Sequence, residues 1–127
     1  MKALRIIAII GAIALIIGEL YRSWGVGRPI AFVIDDLVVG AMMISAGVLV
    51  GHQTIATRAY FSAAWGVSAG MLYGSFFSKL YDPGNAVPGN MPLGLLILLL
   101  GLAFALSVLG LIASVLLPMP TPRQDRF

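Results

Sequence analysis

Cysteine is absent from all 127 residues. Disulfides, thiolate metal sites, iron–sulfur clusters and thioether-attached haem are therefore excluded. Charge is also scarce. Asp, Glu, Lys and Arg make up 10% of the chain, where a soluble domain carries about 25%. The formal charge of +3 is small and scattered, which argues against nucleic acid as a partner. One histidine, His52, cannot hold haem b from both faces within a single chain, and its position suits an interface or capping role. No P-loop or nucleophile elbow is present, so no catalytic constellation is visible and no enzyme is expected. Long polar segments are missing too. The longest is the loop Asp82–Gly89, which leaves no room for a soluble domain beside the rest.

What the chain does have is hydrocarbon. Hydrophobic residues make up 60% of it. They concentrate in four runs, Leu4–Trp24, Ile30–Val50, Tyr60–Tyr81 and Leu93–Leu117. At about 1.5 Å of rise per residue, each run can cross a hydrocarbon layer about 30 Å thick. The first run, with Lys2 and Arg5 ahead of it, has the charged and apolar parts of a secretory signal. Its only A-x-A stretch, Ala12-Ile13-Ala14, lies inside the apolar run, and Glu19-Leu20-Tyr21-Arg22 follows. An uncleaved helix is the expectation.

The expected fold is all-α, a four-transmembrane-helix bundle with short loops and antiparallel up-down-up-down order. Residues 1–117 form one transmembrane domain, and 118–127 form a Pro-rich cytoplasmic tail. Gly25 and Gly27 end the first helix, and Pro29 starts the second. The third helix is expected to begin near Arg58. The third loop repeats Pro-Gly-Asn twice, at Pro83-Gly84-Asn85 and Pro88-Gly89-Asn90, and both triplets favour turns. A resemblance between Gly18-Glu19-Leu20-Tyr21 and Gly74-Ser75-Phe76-Phe77 is too weak to establish a repeated hairpin.

Lys2, Arg5, Arg58, Arg123 and Arg126 fall on one side of such a bundle, and Arg22, Arg28 and Lys79 on the other. The positive-inside rule then puts both termini in the cytoplasm of a bacterial-type inner membrane. The acids Glu19, Asp35, Asp36 and Asp82 lie at the opposite, outer end.

Lipid tails are as apolar as leucine, so helices associate in a membrane where small residues let backbones approach. In the third helix Ser62, Gly66, Gly70, Gly74 and Ser78 recur at every fourth position, a small-residue seam for close packing against a neighbour or a second copy. The fourth helix aligns Ala103, Ser107, Gly110 and Ser114. The second aligns Asp36, Gly40, Gly47 and Gly51, and the first Ala8, Ala12 and Glu19.

Ionisable residues within spans are costly and become candidates for function. Glu19 and Arg22 are three apart on one face and can pair. Asp36 lies on the glycine stripe and Asp35 about 100° away from it. Arg28 can reach back toward either aspartate, and Lys79 comes to the same end. These six form an ion-pair network tying helix ends, or an ion or proton pathway, since neighbouring carboxylates can share protons. The adjacent arginines oppose a metal, and no cofactor is expected. The partners expected are the lipid bilayer and either further copies of the chain or other membrane subunits. The preferred role is a structural or accessory subunit. The alternative is a small ion- or proton-coupled transporter or channel using Glu19 and Asp36.

Overall fold

Residues 2–25, 27, 30–85 and 89–117 are described by the computed structural model, apart from the side chains of Phe32 and Asn85. Arg28 and the tail 118–127 lie outside the described residues. Four helices follow in order: α1 (Lys2–Ser23), α2 (Ile30–Leu49), α3 (Ile55–Tyr81) and α4 (Leu93–Leu116). Short 3-10 turns at Val50–His52 and Pro83–Asn85 join them. No strand occurs among the described residues.

The segments Lys2–Ser23, Val33–His52 and Leu93–Leu116 are long and apolar enough to cross a membrane. Helix α3 is the more polar one, carrying Thr57, Arg58, Ser62, Ser68, Ser75, Ser78 and Lys79. It begins at Ile55, earlier than its apolar run. Thr54 has extended backbone and accepts from the Thr57 amide at 3.1 Å, while Thr57 Oγ1 accepts from the Thr54 amide at 3.1 Å. This reciprocal cap satisfies two first-turn donors and fixes the start.

Along much of α1 and α4, small residues are turned inward and large apolar ones outward. In α1 the buried residues include Ala8 and Ala12, while Ile6, Ile10, Ile13 and Ile17 are exposed. In α4 Ser107, Gly110 and Ser114 are buried, while Leu98, Leu102, Leu109 and Val115 are exposed. Large apolar side chains cover much of the outside, and small residues line part of the contacts, beside larger ones such as Phe61, Trp65 and Leu72. That is the arrangement of helices solvated by lipid and joined by backbone proximity.

The contacts explain the stripes. A Cβ on Gly40 would lie 2.6 Å from Ile16 of α1, and one on Gly47 3.0 Å from Ile9. Glycine at these two positions lets α1 ride closely on α2. On the other side of the bundle, a Cβ on Gly110 would lie 2.5 Å from the Trp65 ring, and one on Gly101 2.9 Å from Phe76. Ser68 and Ser107 share a hydrogen bond of 3.0 Å, and Ser114 donates to Ser62 at 3.0 Å. Thus α4 seats its small face on α3. Tyr60 Oη and Ser45 Oγ, 2.8 Å apart, link α2 to α3. One core gathers Leu4, Ala46, Val50, Phe61 and Trp65, and a smaller one toward the other end of α3 and α4 joins Leu72 to Leu96 and Leu100. Helices α1 and α4 meet at few positions.

Two arginines finish the helix ends in the same way. Arg5 donates through Nε to the Gly47 carbonyl at 2.9 Å and through Nη2 to Val48 at 3.4 Å. Arg58 donates through Nε to Ser114 at 3.3 Å and through Nη2 to Val115 at 3.2 Å, and also to the Leu117 carbonyl. Each guanidinium serves the carbonyls that a helix C-terminus leaves unpaired and complements its negative dipole end. The pattern of Nε to one residue and Nη2 to the next recurs between α1–α2 and α3–α4. It gives the two hairpins a structural correspondence that the sequence match alone does not show.

Candidate functional site

The polar site is built at the C-terminal end of α1. Arg22 Nη1 approaches Glu19 Oε2 at 3.4 Å, one helical turn away. Ser23 Oγ donates to the other carboxylate oxygen at 2.8 Å and is the tighter contact. Glu19 is 3% and Arg22 6% exposed, so both charges are withdrawn into the protein. Burying them together is tolerable because each compensates the other and Ser23 satisfies a further lone pair.

A loop from later in the chain docks on the end of α1 beside this site. The Asn90 amide donates to the Arg22 carbonyl at 3.0 Å. Its Nδ2 donates to the carbonyls of Tyr21 at 2.9 Å and Trp24 at 2.7 Å. One side chain and one amide therefore serve three carbonyls that α1 would leave open at its end. The approach requires glycine at the preceding position. Gly89 has φ of +69°, and a Cβ there would overlap the Arg22 carbonyl oxygen and lie 2.9 Å from its carbon. The two Pro-Gly-Asn triplets thus do different things. Pro83–Asn85 makes a 3-10 turn after α3, and Gly89–Asn90 docks on α1.

The other described residues of the predicted set differ in burial. Asp36 is half-buried and Asp35 exposed. Lys79 is half-buried, with Nζ 3.5 Å from the Ser75 carbonyl of its own helix. Arg28 lies outside the described residues. Among the described residues, no three His, Asp or Glu groups come together in a way that could hold a metal ion. Ser23 and Asn90 belong to the site without having been singled out from the sequence.

The small-residue seam of α3 divides in two. Ser62 bonds Ser114, and a Cβ on Gly66 would make ordinary contact, 3.9 Å from Leu111. Gly70 and Gly74 have open space where a Cβ would stand, and Ser78 is exposed. Helical geometry explains the division. Steps of four residues overshoot a full turn by about 40°, so four steps rotate the seam by about 160°. It starts against α4 and ends on the outer surface.

Four helices with an apolar exterior, small-residue contacts and a sequestered ion pair define a helical membrane protein. Comparison with known proteins finds no matching family model, curated protein or solved structure.

Proposed function

We propose that all four helices cross a bacterial-type inner membrane in up-down-up-down order, with both termini in the cytoplasm, and that the protein is a structural or accessory subunit. The carrying observation is the outward-facing part of the α3 seam. Gly70 and Gly74 are exposed and leave backbone uncovered, where another helix can approach closely. The occupant of that face is a second copy of the chain or another membrane subunit. Glu19, Arg22 and Ser23 support this reading, because their side chains bind one another within the last turns of α1.

Topology and association are tested separately. Cysteines placed one at a time at Gln53 and Gly84 of this cysteine-free chain report sidedness by impermeant thiol labelling. Labelling of Gly84→Cys from the periplasmic side, with Gln53→Cys protected, is the expected pattern. Replacing Gly70 with Ile is expected to reduce association in bilayers at least tenfold while helicity is retained. Unchanged association of a folded Gly70→Ile protein would remove the α3 face from the assembly.

The burial of Glu19 within a membrane-crossing helix favours a second reading, an ion- or proton-coupled transporter in which Glu19 and Asp36 carry the ion. Purified protein in liposomes decides between the two. Flux above empty vesicles that is lost in Glu19→Gln and Asp36→Asn would replace the subunit reading. Flux equal to empty vesicles for protons and for several ions would leave it in place.

A further inference from the structure

A crevice of about 60 Å³ runs into the bundle between α1 and α4. Gly11 and Ala12 of α1 form one wall, Leu106 and Ser107 of α4 the other, and Trp65 and Ser68 of α3 the floor. It opens where the bundle is least closed, since α1 and α4 meet at few positions. Leu106 at its edge is exposed, whereas Ala12, Trp65, Ser68 and Ser107 are buried. Resting on the membrane reading above, we propose that this crevice holds one acyl chain of a bilayer phospholipid.

Four observations select that occupant. The first is depth. Gly11 and Ala12 stand about 14–15 Å along α1 from Lys2 at 1.5 Å per residue, near the middle of a layer about 30 Å thick. Headgroups do not reach that level, and acyl chains fill it. The second is polarity. The side chains of the lining are apolar except for the Trp65 indole N–H and two hydroxyls, and the hydroxyls bond each other at 3.0 Å. A water molecule needs two to four polar partners in such a site. The Trp65 indole Nε1 is shielded by protein, which keeps it out of reach of a water in the crevice. Third, the free volume admits a segment of one flexible chain and is well below the about 300–1,000 Å³ of sites for drug-sized ligands. Fourth, a Cβ on Gly11 would meet nothing within 4 Å, so this wall is recessed where a side chain would otherwise project. Dispersion contact with the walls then favours filling the space over leaving it empty.

Photolabelling tests this in vesicles of phosphatidylethanolamine and phosphatidylglycerol. A small fraction of phospholipid carries a diazirine at mid-chain, which loses dinitrogen on irradiation and inserts as a carbene into adjacent C–H or O–H bonds. Peptide mapping is expected to find adducts on buried Ala12, Ser68 and Ser107 as well as on exposed Leu98 and Leu102. Gly11→Leu places an isobutyl group in the crevice. It is expected to lower the buried adducts at least fivefold and leave the exposed ones unchanged. Gly11→Ala, a smaller change, is expected to give an intermediate loss and serves if the leucine variant does not fold. Adducts confined to the outer residues of wild type, or buried adducts that persist in a folded Gly11→Leu protein, would overturn the acyl-chain site. Absence of adducts on Leu98 and Leu102 as well would overturn the membrane reading instead.

Discussion

The sharpest perturbation is one methyl group at Gly89. An alanine there meets two separate penalties. Its φ of +69° is left-handed, which costs a residue with a Cβ about 1–2 kcal/mol. The new carbon would also overlap the Arg22 carbonyl, and the backbone, being two peptide groups in contact, cannot yield as a flexible side chain would. Relief requires the loop to lift. Lifting removes the Asn90 bonds to Tyr21, Arg22 and Trp24, each worth about 0.5–1.5 kcal/mol net. The two effects are alternatives in part, because a lifted loop also relaxes φ. A loss of about 2–4 kcal/mol follows, a shift of roughly 30- to 800-fold in the folding equilibrium at 1.4 kcal/mol per factor of ten. Gly84 is the matched control. It occupies the same place in the first Pro-Gly-Asn triplet, and a Cβ on it would meet nothing within 4 Å. Reversible denaturation in mixed micelles measures both variants. Trp24, whose carbonyl accepts from Asn90, gives a local fluorescence signal. If Gly89→Ala and Gly84→Ala differ by less than 0.5 kcal/mol, on the order of error in such comparisons, the docking of this loop on α1 is wrong.

Three further outcomes are expected. Glu19→Gln removes the carboxylate charge beside buried Arg22 and should cost about 3 kcal/mol, the lower end of the range for broken buried pairs; a double-mutant cycle with Arg22→Gln should recover part of it. Arg58→Gln removes the guanidinium from the Ser114, Val115 and Leu117 carbonyls, so amide exchange should rise in the last turn of α4 and stay unchanged at its first turns. Gly110→Ala drives a methyl group into the Trp65 ring and should destabilise by about 1–3 kcal/mol in the same micelles, whereas Gly94→Ala, in open space, should be neutral or stabilising.

Helix positions were legible because each apolar run is long and most of the breaks between runs carry Gly, Pro or Asn. The glycine and serine stripes of α2 and α4 were legible as well, since spacing alone puts Gly40 with Gly47, and Ser107 with Gly110 and Ser114, on one side of a helix. The start of α3 was not. Its cap pairs Thr54 with a second threonine, Thr57, rather than the usual Glu or Gln, so no familiar pattern marks it. Nor was the fate of the α3 seam, because a straight helix carries four-residue spacing steadily around its axis, and only the position of α4 says where contact ends. The partners of the α1 terminus were beyond reach for another reason. Asn90 is nearly seventy residues from Tyr21, and nothing local distinguishes it from Asn85 in the preceding triplet.

The arginine at the head of each hairpin bears on how the chain is made. Synthesis delivers α1 and α2 first, and Arg5 already has its carbonyl partners once Val48 has emerged. All the residues of that contact precede α3 in the chain. The opposite end of α1 must wait for Asn90 to fill three of its carbonyls. A chain stalled between residues 52 and 90 should expose that unfinished end to quality-control proteases, and release from the stall should hide it.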